Sequence, residues 1–210
     1  NDFNTKRIYG SGLFRLNSKF LTTKNINDAI NEGAGFLMFI GHGKPHIAIS
    51  TQFPFCKNIW LPTPSAYSIS DVQTLTNGEK LPVAIFAGCN CGDFDALNSP
   101  VAWEFVRHSN GGAIASIACT SGGIMILSNL CAKSFHGHMI LSIFKSYKFG
   151  MDRIGNIWSQ SIRNYLNDEE ALKLGDDFSM FNWHNALSNH FVIEEWALFG
   201  DPTLKIGGYS

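Results

Sequence analysis

The sequence predicts one α/β domain whose mainly parallel sheet is covered by helices. Three observations carry this. The apolar runs Phe36–Ile40, Leu81–Ala87 and Ala113–Ala118 are short, nearly unbroken and punctuated by glycine, as strands buried on both faces are. Amphipathic stretches alternate with these runs, as helical crossovers between parallel strands require. A length of 210 residues with an apolar fraction of 45% supplies one sizeable core.

Taken in order, residues 1–20 mix charged, aromatic and glycine residues without period and predict loop with one short strand. Thr22 or Thr23 caps a helix over Asn25–Glu32, which Gly33 and Gly35 stop. Phe36–Ile40 is the first buried strand. Residues 43–70 are rich in Pro and Ser, and a connection this long at a strand's carboxyl end usually carries function. Ser70–Leu75 predicts a short capped helix, and Leu81–Ala87 is the second buried strand. Val101–His108 is amphipathic and ends at Asn110-Gly111-Gly112. Ala113–Ala118 is the third strand, closed by Ser121-Gly122-Gly123. Helices fit Cys131–Lys148 and Arg153–Asn167, the latter with Ile154, Ile157, Trp158, Ser161, Ile162 and Tyr165 on one side. Ala197-Leu198-Phe199 leads into a turn at Gly200-Asp201-Pro202, and Leu204–Ile206 reads as an edge strand.

The formal net charge of −1 leaves no electrostatic footprint for nucleic acid or an anionic membrane. No apolar stretch reaches the roughly 18 residues of a membrane span. The five cysteines, Cys56, Cys89, Cys91, Cys119 and Cys131, are an odd count and predict free thiols rather than a disulfide framework. Free thiols favour a reducing compartment.

In open α/β sheets, chemistry collects beyond the carboxyl ends of the strands. The first strand ends on Gly41-His42-Gly43 and the second on Gly88-Cys89. If these strands are neighbours, His42 and Cys89 emerge side by side, and a thiol beside an imidazole is the minimum equipment of a cysteine hydrolase. Glycine at 43 lets backbone approach a substrate and leaves an amide to donate to an oxyanion. Taken singly, a cysteine or histidine at such a position is more often a core residue. Cys91 competes with Cys89 as nucleophile; Cys89 is first past the strand, and position alone leaves both open. Cys89-x-Cys91 resembles half a metal site, but no second pair completes it. His136-x-His138 sits in a helical stretch, where a spacing of two turns the rings to different sides, so no metal is expected. Asp93 reads as the cap of the turn after the nucleophile, with Asp95 beside it.

The order Gly41-His42-Gly43, Val72-Gln73-Thr74-Leu75-Thr76-Asn77, Leu81–Cys89 and Gly92-Asp93-Phe94 resembles the catalytic core of the gingipain-type cysteine peptidases, in the caspase-like clan CD. Gly111–Thr120 and Leu198-Phe199-Gly200-Asp201-Pro202 are similar to the family as well, so the resemblance runs from about residue 24 to near the end. It implies a caspase–haemoglobinase-like fold and a thiol endopeptidase. The Gly-Asp-Phe spacing puts Cys89, not Cys91, on the family's nucleophile. His42 would serve as general acid and base, and the amides of Gly43 and Cys89 as the oxyanion hole. The wall of the substrate pocket would include Thr120, Ser121, Gly122, Gly123 and Met125. The segment carries no carboxylate of its own. The third, acidic catalytic residue of some relatives lies upstream of the histidine, and nothing in residues 1–41 matches it.

No cofactor is expected; the family analogy offers calcium, but no loop has the spaced carboxylates of a recognisable site. The implied partner is a protein or peptide substrate, with no nucleic acid and no membrane. The chain starts at Asn1 and has about one helix before its histidine strand. We therefore expect residues 1–210 to be the carboxyl-terminal catalytic part of a cut precursor, with the amino-terminal fragment completing the sheet. The family analogy implies secretion, against the weak pull of the free thiols toward a reducing compartment. A different class of function, an inert caspase-like binding or scaffold module, is the alternative; a thiol hydrolase or transpeptidase acting on other amides would share the dyad.

Overall fold

The computed structural model describes residues 4–9, 19–50, 66–123, 132–133, 135–173 and 187–207. The chain opens with β1 (Ile8–Tyr9) and β2 (Lys19–Phe20), which pair in parallel. In α1 (Thr23–Glu32) the hydroxyl of Thr22 accepts from the Asn25 amide at 3.1 Å, as a threonine N-cap should. Gly33, at φ 101°, ends the helix in a conformation glycine adopts at least cost. β3 (Phe36–Ile40) follows. The Pro- and Ser-rich segment, read from sequence as loop, instead contributes β4 (His42–Lys44), β5 (Ile47–Ser50) and β6 (Ala66–Ser68), a small antiparallel sheet. These strands are too short to announce themselves by period. Trp60 and Cys56 lie outside the described residues.

α2 (Ile69–Val72) starts at Ser68, two residues before the expected cap, because the Asp71 carboxylate accepts from the Ser68 amide at 2.7 Å. β7 (Val83–Ala87), α3 (Val101–Arg107) and β8 (Ala115–Cys119) fall within a residue or two of expectation. α4 (Phe135–Lys148) and α5 (Ile154–Leu166) also match. Cys131, the expected start of α4, lies outside the described residues. α6 (Leu187–Glu194) leads into β9 (Trp196–Phe199). The edge strand is thus Trp196–Phe199 rather than Leu204–Ile206, of which only Lys205 makes an isolated bridge, to Arg153. The turn at Gly200 (φ 113°) and the missing donor of Pro202 end the pairing before it could reach residue 204.

The main sheet has the order β3-β7-β8-β9, with β3, β7 and β8 parallel and β9 antiparallel to β8. Every residue of β7 and β8 is buried. Alternation divides β7 between two cores. Ala84 and Phe86 face Ile26 and Ile30 of α1 and Val101 and Phe105 of α3, with Phe39 stacked on Phe86 at 5.2 Å between centroids. Val83, Ile85 and Ala87 face Met139 and Ile143 of α4, Ile154 and Ile157 of α5, and Val192 of α6. Among the described residues β3 pairs with β7 alone, and its Met38 and Ile40 are 42% and 43% exposed. No described helix is long and apolar enough to cross a membrane.

Candidate active site

The last pair of the β3–β7 ladder is Ile40 with Ala87. Two residues past that pair stand His42 on one strand and Cys89 on the other, so the parallel register brings both sequence-predicted residues to one sheet edge. His42 opens β4 and is exposed; its backbone pairs with Ser50 of β5. Behind it the two backbones touch. A Cβ added to Gly43 would overlap the Cys91 sulfur and lie 2.9 Å from the Cys89 carbonyl oxygen. A Cβ added to Gly88 would lie 3.0 Å from the Cα and the amide nitrogen of Gly43. Both glycines are therefore required by close approach rather than by a special turn.

Cys89 is half-buried in the turn that closes β7. Asn90 takes the left-handed conformation at φ 60°, which asparagine tolerates. Its amide donates to the Ser121 carbonyl at 2.8 Å, and the Gly92 amide donates to the Cys119 carbonyl at 2.8 Å. The turn is thus tied to the chain leaving β8. The Gly123 amide donates to the Cys89 sulfur at 3.2 Å, and the thiol faces the Gly123 carbonyl at 3.8 Å. Asp93 does cap the turn, its carboxylate accepting from the Asp95 amide at 3.1 Å.

The competing thiol is in different surroundings. Cys91 is fully buried, with its sulfur against the carbonyls of Ile47 (3.4 Å) and Ala48 (3.7 Å). Burial pushes its pKa up to about 12, helped by the neighbouring Cys119 and Cys89. Cys119 is also raised to about 12, chiefly by burial. Neither thiol ionises near neutral pH, and the thiolate is the nucleophilic form.

Of the expected pocket wall, Thr120, Ser121 and Gly123 are half-buried and Gly122 is exposed; Met125 lies outside the described residues. Behind this wall stand His136, weighed from sequence only as a metal ligand, and Glu195, which sequence reasoning missed. Glu195, between α6 and β9, accepts the Thr120 amide (2.5 Å) and hydroxyl (2.8 Å) on its carbonyl. Its carboxylate accepts the Ser121 hydroxyl at 2.5 Å and lies 3.4 Å from Nε2 of His136. The only sequence hint was an acid set directly before an apolar strand, Glu195 ahead of Trp196. The donors of Cys119, His136 and Glu195 lie within 4.8 Å of one another, close enough to share an ion, but hydrogen bonds inside the protein already engage them. His138 turns to the other side of α4, as its spacing predicts. There it meets Tyr165 and Asp168, and burial holds its pKa below the usual imidazole range against the pull of Asp168.

The family model for peptidase family C25 matches residues 1–207. The chain belongs to peptidase family C25. Among solved structures, this C25 chain is similar to the Arg-specific cysteine proteinase gingipain R, with 19% identity, a TM-score of 0.58 and 89% of the chain covered. It is also similar to the complex of the pro- and mature domains of RgpB from Porphyromonas gingivalis, with 20% identity, a TM-score of 0.61 and 89% covered. The likeness establishes the fold, the caspase-like sheet flanked by helices that the sequence predicted. The chain spans only 36% and 37% of the length of those two structures. No curated protein matches it.

Proposed function

We propose that this C25 member is a cysteine endopeptidase in which Cys89 is the nucleophile and His42 its acid–base partner. The observation that carries the reading is the contrast among the three described thiols. Cys89 alone is half-buried at the mouth of the sheet, while Cys91 and Cys119 are sealed in the core.

The Cys89 thiolate attacks the scissile carbonyl carbon and the carbonyl electron pair moves to oxygen. The amides of Gly43 and Cys89 donate to that oxyanion. As the C–N bond breaks, His42 gives its proton to the leaving amine and a thioester remains on Cys89. His42 then takes a proton from water, the hydroxide adds to the thioester carbon, the C–S bond breaks to restore the thiolate, and the new carboxylic acid departs and ionises in solvent. Thr120, Ser121, Gly122 and Gly123 form part of the pocket wall. Gingipain R, the structural neighbour, is an Arg-specific proteinase. In this chain the carboxylate nearest the described wall, Glu195, is only 3% exposed and is already engaged by Ser121 and His136. A preference for basic residues would need charge from a segment other than 120–123.

The amino-terminal fragment of the same precursor is the proposed partner, added along β3. The exposed apolar pair Met38 and Ile40 on that edge supports this, and one structural neighbour is itself a complex of pro- and mature domains.

The test uses the purified, reduced protein with any chain that travels with it. A peptidyl acyloxymethyl ketone labels Cys89, and a peptide library is cleaved. Labelling and cleavage are both lost in Cys89→Ala, and cleavage is lost in His42→Ala. A folded, reduced protein that cleaves no peptide and takes no label is the inert module instead. Intact mass and amino-terminal sequencing of the same sample detect the fragment; a single chain active on its own removes it from the proposal.

A further inference from the structure

We propose that Glu195 and His136 are positioning residues for the Cys89 sulfur, acting through the segment 120–123. This inference rests on Cys89 being the reactive thiol. Its first link is the Gly123 amide, which donates to that sulfur at 3.2 Å. An amide at a sulfur holds its place only if its segment is anchored, and a half-buried segment with two adjacent glycines does not hold itself. The structure supplies three anchors. Asn90 fixes the Ser121 carbonyl from the nucleophile's own turn at 2.8 Å. Glu195 fixes Thr120 through its carbonyl and Ser121 through its carboxylate. The His136 ring lies directly under Gly123: a Cβ there would overlap Cε1 and sit 2.7 Å from Nδ1. The glycine at 123 is thus required by the imidazole beneath it.

The anchors are rigid in turn. His136 and Glu195 are 1% and 3% exposed. The imidazole is held between the second carboxylate oxygen of Glu195 (3.4 Å) and the ring of Trp196, which it meets edge-on at 5.1 Å between centroids. Glu195 sits at the junction of α6 and β9, with its amide bonded to the Phe191 carbonyl at 2.9 Å. Burying an imidazole and a carboxylate together is weak evidence for added stability, because desolvation offsets their attraction. A role in aiming the wall and its amide explains the pair better.

The sign of one measurement separates aiming from simple charge. Losing the Gly123 donor raises the ionisation midpoint of Cys89, because the thiolate loses a hydrogen bond. Losing the negative charge of Glu195, if the sulfur felt it through space, would lower that midpoint. The other titratable groups around the sulfur are the Cys91 and Cys119 thiols, both at about 12 and neutral throughout the assay, together with His42 across the site. The readout is the pH dependence of Cys89 alkylation by iodoacetamide, followed by peptide mass. It is run with His42 intact and in His42→Gln, so that imidazole titration is recognised and subtracted.

In Glu195→Ala the midpoint is expected to rise by roughly 0.5–1 pH unit, with alkylation at pH 7 slowed about 3- to 10-fold. Glu195→Gln, which keeps an acceptor for Ser121 and loses the charge, is expected to stay within about twofold of wild type. A lowered midpoint in both variants, or an unchanged midpoint in folded Glu195→Ala, overturns the proposal. If circular dichroism shows Glu195→Ala unfolded, Ser121→Ala severs the same link from the wall side; a rise supports positioning and no rise overturns it. Alkylation needs no peptide substrate, so a shifted midpoint in a protein that cleaves nothing would leave the positioning role standing and remove the endopeptidase.

Discussion

Cys89 and Cys91 are two residues apart in one turn, yet they occupy different chemical worlds. One is half-buried at the sheet's mouth with an amide on its sulfur. The other is sealed under β5 against two carbonyls, with its pKa at about 12. The comparison teaches that a thiol's exposure here is set by its position along the turn. Cys89 is the last residue before the backbone reverses at Asn90, and Cys91 is carried back beneath Gly43 as packing.

The sharpest way to break the comparison is to exchange the roles by mutation. Cys89→Ala is expected to lower peptide cleavage by at least about a thousandfold while leaving the fold intact. Cys91→Ala is expected to keep probe labelling at Cys89 and to lose about 1–2 kcal/mol in urea unfolding, from the small cavity left in the core. Activity that follows Cys91 instead would reverse the assignment. Next in size is native alkylation at pH 8: Cys91 and Cys119 should react at least about a hundredfold more slowly than Cys89 and become accessible in denaturant. Mapping the modified peptides decides it.

Gly43→Ala sharpens the comparison from the shared wall. Its methyl group would press on the Cys91 sulfur and the Cys89 carbonyl at once. A loss of about 1–3 kcal/mol in stability is expected, with cleavage reduced at least about tenfold as the oxyanion amide shifts. Unchanged kcat/KM in this variant would remove Gly43 from the oxyanion hole. A further test is in pH. The buried thiols Cys91 and Cys119 rise from 9.0 unfolded to about 12 folded. Between those values the unfolded chain has released protons that the folded one retains, so stability is fully present below pH 9 and falls as pH rises toward 12. Thermal melts should show this decline, and Cys91→Ala should flatten it.

The strands of the main sheet were legible because β3, β7 and β8 are apolar runs bounded by glycine, and burial on both faces leaves that signature whatever the neighbours are. α1 was legible from Thr22 and Gly33, whose roles are local. The small sheet β4-β5-β6 was not, since strands of three and four residues carry too little pattern to separate from loop. The ordered motifs identified the family and, with Gly-Asp-Phe, favoured Cys89. Beyond that spacing nothing local showed which thiol is buried, because their exposure depends on β5 and on the turn at Asn90. The meeting of Glu195 with His136 went unseen for the same reason: they are 59 residues apart and touch only because β9 pairs with β8 while α4 packs on that face.

By itself, then, the sequence determined the α/β class, the positions of the buried strands and the His42 and Cys89 pair at two strand ends. Those are properties of runs and neighbours along the chain. Tertiary structure decided that the two strands adjoin in parallel register, that Cys91 is sealed and Cys89 open, and that a buried carboxylate and imidazole stand behind the wall at residues 120–123. Each of these depends on burial and hydrogen bonding between distant segments, which no local pattern encodes.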